Sequence, residues 1–419
     1  MARGARVAPE AADGGARGVT LPGLAWRFLW ARPLVAALNL ALLTLGVAAM
    51  VFLLVVGAQI ERSLQRDLAG IDLVVGAKGS PLQLILAGVF HLDVPTGNVP
   101  LAAVQTLRGN PMVAQVIPLS LGDSLRGFRI VGSSPDYLAL YGAALTRGRL
   151  WMAPLEAVLG HQAADELAME PGHRFAGSHG LGSEGAAHAS SPYTVVGILA
   201  PCACVLDRLV LTGVESVWAV HEAHEAGHEQ GTEQADDERE VTLMLVKYRS
   251  PLAAVTLPRW VNAQDGLQAA SPALESARLF RMIGVGADVL RGFAALLMAV
   301  GALSVWVALL HAVRDRENDL AMMRMLGAPS RRLAALVGLE SLWIAVLGSS
   351  AGLALGHGMA ELLGTMLARD RSLAVHGLFW TVGELWCLLA VLVLAALAAA
   401  LPAWRVIRLD VTRLLQSPS

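Results

Sequence analysis

The chain has 419 residues, 55% of them hydrophobic and 16% charged, with a mean hydropathy of +0.54. Soluble domains carry about 25% charged residues, so the composition points to a membrane protein rather than a water-soluble enzyme. The formal net charge of −2 argues against nucleic-acid binding, and three cysteines are too few for a disulfide framework.

Residues 1 to about 20 are rich in Ala, Gly and Arg and read as a disordered tail. Leu24–Trp30 (LAWRFLW) places Trp26 and Trp30 around Arg27, which predicts a short helix lying at the membrane surface. Residues 33–60 contain no charge and exceed the length needed for a hydrocarbon core of about 30 Å. This first span is too long for a signal-peptide core, and no convincing cleavage site follows it.

Residues 61–283 read as a mixed α+β domain. Strand-like runs are Ile71–Val75, Val113–Pro118, Phe128–Val131, Thr194–Leu199, Leu209–Thr212, Ser216–Val220 and Val241–Lys247. Helix-like runs include Val99–Leu107 and His161–Met169. Gly172–Ser191 and His221–Glu240 are polar and read as solvated loops. Cys202 and Cys204 form a C-x-C pair, read as two unlinked thiols or a minor local bridge. His91 and Asp93 in FHLDVPTGN are open either to a substrate or partner contact or to a plain turn role.

Three further spans follow, at 284–313, 333–364 and 385–404, the last two joined by an outer loop at 365–384. The third is interrupted by Glu340, His357 and Glu361, while Glu384 precedes the fourth. Glu340 is near enough to its end of the span to pair with an arginine of the preceding segment. Cys387 reads as a small packing residue. Gly348, Gly352, Gly356, Ala360 and Gly364 fall four apart, giving a smooth stripe on which another helix, in this chain or a second protomer, can pack closely.

Between the second and third spans lies 314–332, RDRENDLAMMRMLGAPSRR, with five arginines. Leu320, Met323 and Leu326 recur at three-residue steps, which predicts an amphipathic helix ended by Gly327. Arginines also precede the first span and follow the fourth, at 405–419. The positive-inside bias therefore places both termini and this segment in the cytoplasm, and 61–283 outside.

Two motifs suggest other chemistry. His224–Glu225–Ala226–Gly227–His228 matches H-E-x-x-H, a zinc-protease signature. Its surroundings are polar throughout and Gly227 weakens a helix, so a solvated acidic loop is preferred. His221, His224 and His228 are the candidate ligands for loose metal capture. Val75–Gly76–Ala77–Lys78–Gly79–Ser80 lacks the spacing of a phosphate-wrapping Walker loop, so any ATP that drives this chain must be bound by another.

The layout and the stretch RDRENDLAMMRMLGAPSRRLAALVGLESL together resemble the MacB/FtsX-like ABC transporter permeases (type VII). The stretch carries Arg316 and Glu317, Met322 and Met323, Arg324, Leu326–Gly327–Ala328, Arg331–Arg332 and Glu340 at that family's pattern positions. LPAWRVIRLDVTRLL is similar to the family's ending, and IVGSSPDYLALYGAALTRGR, AVLGHQAADELAMEPGHRF and YTVVGILAPCACVLDRLVL look like its core-domain segments. Asn318 and Asp319 depart from the pattern, where an apolar residue is often found.

The resemblance implies a membrane α-helical fold, with four transmembrane helices and a large extracytoplasmic α+β domain between the first and second. It implies a non-enzymatic permease subunit in a bacterial inner membrane. ATP and Mg would be bound by a separate ABC ATPase subunit, and no cofactor by this chain. A second permease protomer would complete the complex, with room for a periplasmic partner protein. ATPase coupling would fall to Arg316, Glu317, Leu320, Met323, Arg324, Leu326 and Gly327, driving mechanotransmission for export or extraction of a substrate. The alternatives are a regulator of an extracytoplasmic hydrolase and, less favoured, a membrane-anchored zinc metalloprotease.

Overall fold

The computed structural model describes residues 20–179, 191–225, 239–369 and 375–408. The tail at 1–19, most of both polar loops (180–190 and 226–238), residues 370–374 and the stretch 409–419 lie outside the described residues.

In chain order the elements begin with helices α1 (Leu21–Leu29) and α2 (Pro33–Asp67). A mixed domain follows: β1 (Leu73–Ala77), α3 (Pro81–Gly88), β2 (Val99–Pro100), α4 (Leu101–Arg108), β3 (Val113–Leu125), β4 (Phe128–Ser133), α5 (Asp136–Leu140), β5 (Leu145–Gly148), β6 (Glu156–Leu159) and α6 (His161–Leu167). It continues with β7 (Arg174–Phe175), β8 (Ser178–His179), β9 (Tyr193–Leu199), a 3-10 turn at Val205–Arg208, β10 (Leu209–Gly213), α7 (Val214–Glu225), β11 (Glu240–Val241), β12 (Leu243–Tyr248), α8 (Ala253–Asn262) and β13 (Leu267–Ala270). The chain closes with α9 (Pro272–Asp315), α10 (Glu317–Met325), α11 (Ser330–Arg369) and α12 (Val382–Ile407).

The chain divides into two compact units. One is the mixed domain, residues 57–287 together with 364–375. Its 11-stranded sheet runs β13-β1-β12-β3-β4-β10-β6-β9-β5, with β7 on β9 and β8 on β3. Only β4 with β10 and β6 with β9 pair in parallel; the other pairs in this sheet are antiparallel.

Helices cover both faces of the sheet, and the period-2 alternation of strand side chains sorts the core accordingly. Val74, Leu243, Leu245, Val131, Leu209 and Leu211 share one cluster with Leu84 and Ile85 of α3 and Tyr137 of α5. On the opposite face Leu73, Val75, Met244 and Val246 meet Leu257 and Val261 of α8. Phe128, Ile130 and Val210 meet Ala163, Ala164 and Leu167 of α6. Burial on both faces makes these strands read as continuous apolar runs.

Ser216–Val220, expected as a strand, lies instead within α7. Val214, Val217 and Val220 fall at three-residue steps, so one helical face meets the sheet, with Val217 against Gly132 and Val220 in the core. Cys202 and Cys204 are joined by a disulfide, so the reading as unlinked thiols is set aside. The Asp207 carboxylate accepts from the N–H groups of Cys202 and Ala203, and Ala203 sits at φ +51°, which brings the two sulfurs together. The same turn holds the end of α2: Asp67 accepts from the Val205 N–H at 2.9 Å, and Tyr141 Oη donates to the Asp67 carbonyl at 2.9 Å.

The other unit holds residues 1–56, 288–363 and 376–419. α2, α9, α11 and α12 are long and apolar enough to cross a membrane. At 35 and 44 residues, α2 and α9 extend well beyond the predicted spans. The shared core places Leu43, Val47, Val51 and Val55 of α2 against residues of the other three. Few polar groups interrupt it. Ser304 Oγ donates to Asn39 Oδ1 at 2.6 Å, and Ser341 Oγ to the Ala395 carbonyl at 2.8 Å.

Gly348, Gly352 and Gly356 of the α11 stripe face α2 within this unit, whereas Gly364, at the end of the stripe, lies against the Val375 backbone instead. A Cβ at Gly352 would lie 2.6 Å from Val47, and one at Gly356 would lie 2.9 Å from the Ala48 carbonyl and from Val51. Gly358, on the same helix, has nothing within 4 Å. Gly356→Leu should therefore destabilise the helical unit by about 1–3 kcal/mol through overpacking, while Gly358→Leu leaves it unchanged. Thermal unfolding of both variants in detergent checks this, and equal melting temperatures would refute the close packing.

Candidate functional site: the α9–α10–α11 turn

The charged segment folds as a short helix bracketed by two breaks. α9 ends at Asp315, and Arg316 at φ −107° and ψ 15° turns the chain into α10. At the other end Leu326 caps α10, and Gly327 adopts φ +95°, a conformation that costs a residue with a Cβ. Pro329 precedes the first residue of α11.

Arg316 is the centre of this turn. Its Nη1 donates to Glu340 Oε1 of α11 at 3.1 Å, and its Nη2 donates to the Phe28 carbonyl of α1 at 2.9 Å. The guanidinium also lies over the Phe28 ring, 4.3 Å from the centroid. The Arg316 and Glu340 side chains are 17% and 8% exposed, so the pair is largely out of water. Beside it, Phe28, Leu309, Val337 and Glu340 help line a cavity of about 20 Å³, room for about one water. Arg32 pairs with Asp315 at the surface.

Helix α1, expected to lie at the membrane surface, also packs on α11. Trp26 meets Trp343 at 5.2 Å between ring centroids, and Trp343 Nε1 donates to the Pro22 carbonyl.

The residues predicted to couple fall into two groups. Leu320 is buried, as is its neighbour Ala321. Glu317, Met323 and Arg324 are half-buried. Leu326, predicted on the same apolar face as Leu320 and Met323, is 84% exposed. It lies past the last residue of α10, where helical periodicity no longer applies. With Met322 and Met325, each 56% exposed, it forms an outward apolar tip. The periodicity of the segment had hidden this second, outward surface.

The backbone of His221 and His224 lies in α7; their side chains and His228 lie outside the described residues. Among the described residues no cluster of three or more metal-ligating side chains is present.

His91 was open to a partner contact, but its side chain turns inward and is 7% exposed. Its Nε2 is 2.9 Å from Tyr137 Oη. Nδ1 is buried with no protein partner, as is Nη1 of neighbouring Arg129. Arg129 Nη2 donates to the Asp93 carbonyl, and Asp93 Oδ1 accepts from the Val94 N–H, so the segment is a pinned turn.

Residues 36–253, just over half of the chain, match the MacB-like periplasmic core domain family. Residues 291–411 match the FtsX-like permease C-terminal family. The chain belongs to the MacB/FtsX-like ABC transporter permeases. Among curated proteins this permease is similar to the pyoverdine export ATP-binding/permease protein PvdT of Pseudomonas fluorescens (strain Pf0-1), at 23% identity over 416 residues. That match covers 92% of this chain and 57% of the relative's length. Among solved structures, the periplasmic region of MacB from Actinobacillus actinomycetemcomitans is similar at 12% identity and a TM-score of 0.34, covering 51% of the permease and 95% of that chain. The extracellular domain of the noncanonic ABC-type transporter YknZ from Gram-positive bacteria is similar at 11% identity and a TM-score of 0.30, covering 48% and 99%.

Removing one partner of a largely buried ion pair leaves the other charge uncompensated, at a cost of about 3–5 kcal/mol. In the permease, Arg316→Met and Glu340→Leu should each destabilise the helical unit by that order, and the double variant by clearly less than their sum. A double-mutant cycle of thermal unfolding measures this, and strict additivity would refute the coupling.

In the mixed domain, burial holds His91 well below its ordinary value, with Arg129 and Arg208 adding to the shift. The folded state therefore keeps His91 neutral, whereas the unfolded chain takes up a proton below about pH 6.5. Stability should fall as pH drops below that point, by at most about 1.4 kcal/mol per pH unit. Denaturant unfolding at several pH values should show a shallower slope for His91→Gln; identical slopes would contradict the buried neutral state.

Proposed function

We propose that this chain is the transmembrane subunit of an ABC system and that α10 is its docking point for a separate ATPase. The observation that carries the reading is the division of this short turn. Leu320 and Ala321 fasten α10 to the chain's own core, while Met322, Met325 and Leu326 stand outward. Methionines suit a surface that must meet a partner through changing geometry. Arg316 ties the turn to α1 and α11, so a displacement of α10 would be carried into the helical unit rather than absorbed locally.

In this reading both termini and α10 are cytoplasmic, and the mixed domain is periplasmic or extracellular. The arginine distribution supports that orientation. α2 and α9 each contribute residues to both units without a break in the helix, a route by which an ATP-driven step could move the outer domain. The movement would serve export or extraction of a substrate. The curated relative's name combines ATP-binding and permease functions; here we assign the ATP and Mg to a partner chain. A second protomer would complete the complex.

Leu326→Asp tests the docking role without disturbing a packed side chain. Pull-down of the full chain from native membranes should recover an ATPase bearing a Walker motif. The variant should recover at least tenfold less, with unchanged membrane insertion and melting temperature. Equal recovery would refute α10 as the docking point.

A further inference from the structure

We propose that His357 of α11 and Glu384 of α12 form a proton-binding site, and that the single proton it holds fastens these two helices together. The site lies 27 residues into α11 from its start near α10, about 40 Å along the helix at 1.5 Å per residue.

The proton count follows from hydrogen-bond direction. His357 Nδ1 is 2.6 Å from the Gly377 carbonyl oxygen. A carbonyl only accepts, so Nδ1 carries a hydrogen. The other ring nitrogen, Nε2, is 3.0 Å from Glu384 Oε2. The second carboxylate oxygen is already engaged: Glu384 Oε1 accepts from the Thr381 N–H at 2.7 Å and lies 3.0 Å from Thr381 Oγ1. Oε1 is thus the acceptor of the capping box that starts α12. The remaining contact, Nε2 to Oε2, needs one hydrogen between its two atoms. Imidazolium with carboxylate and neutral imidazole with carboxylic acid satisfy it equally, and both hold the same number of protons.

Without that proton two lone pairs face each other at 3.0 Å, beside a carboxylate whose side chain is wholly buried. Such an arrangement is unfavourable in an interior of low dielectric. A neutral ring has one N–H for two acceptors, so either the contact to Glu384 or, in the other tautomer, the contact to the Gly377 carbonyl must open, and both tie α11 to the start of α12. Proton occupancy is in this way linked to the joint between α11 and α12.

The surroundings are built to hold this joint. One turn along α11, Glu361 Oε2 accepts from the Gly377 N–H, so α11 grips both the N–H and the C=O of one linker residue. The Trp380 ring lies 4.7 Å from the imidazole. Among the described residues, the titratable groups around the pair are Glu361 on α11, the exposed His376 next to Gly377 on the linker and Cys387 on α12. α2 contributes Leu54, against Gly383, and α9 contributes Met298, against Cys387. In the orientation proposed above this end faces outside the cytoplasm. That direction rests on the orientation; the proton site itself does not.

The test is hydrogen–deuterium exchange of the full chain in lipid nanodiscs, read on the peptide covering 376–384. Protection is taken relative to the intrinsic exchange rate at each pH. Between pH 6 and 9 the protection of this peptide should fall at least tenfold in the native chain. Glu384→Gln should stay within twofold across that range. Its amide donates to a neutral Nε2 and its carbonyl takes over the Thr381 bonds, so no proton is required. His357→Gln, which removes the imidazole, should also lose the pH dependence, whatever its level of protection. Flat protection in the native chain, or a native-like fall in either variant, would overturn the proposal. Failure of ATPase recovery in the Leu326 experiment leaves this outcome untouched.

Discussion

The turn between α9 and α11 depends on one guanidinium. Arg316 is placed where α9 stops and α10 starts, and it satisfies a carboxylate, a backbone carbonyl and an aromatic face from three separate stretches of chain. A planar fork of N–H donors suits this task; an ammonium group could not reach both oxygens in fixed directions. α1, α10 and the start of α11 are thereby held around a single cation. A pair this far out of water is not itself a strong source of stability, but it specifies geometry, because loss of either charge leaves the other stranded.

The two units solve the burial problem differently. The mixed domain covers its sheet on both faces, so strand residues of both parities find apolar neighbours. The helical unit packs side chain against glycine, letting α11 approach α2 at backbone distance. In an apolar solvent hydrophobicity does not drive helices together, so close contact of this kind takes over.

The sequence made the four long helices legible because each contains a long apolar run with at most two charged residues in 18, and the glycine spacing marked the packing face of α11. Most of the strands could be read from their apolar runs. Ser216–Val220 was misread because a short apolar run carries no clear period, and its helical register shows only against Gly132 and the α6 cluster. The charged turn was visible as a helix, and its stop at Gly327 followed from glycine's tolerance of positive φ. Periodicity placed Leu326 on the inward face, but periodicity ends where the helix ends. The inward turn of His91 depends on Tyr137, 46 residues away. Nor could the sequence reveal Phe28 beneath Arg316, or His357 opposite Glu384. Those partners are separated by 288 and 27 residues, and only the folded chain brings them together.

The bond between Cys202 and Cys204 closes the turn that receives the end of α2. Such a link persists where cellular reductants such as glutathione do not reach it. The mixed domain thus carries a covalent condition on where it can mature. That condition concerns sulfur chemistry, and it bears on the sidedness of the chain by a route unrelated to any count of arginines.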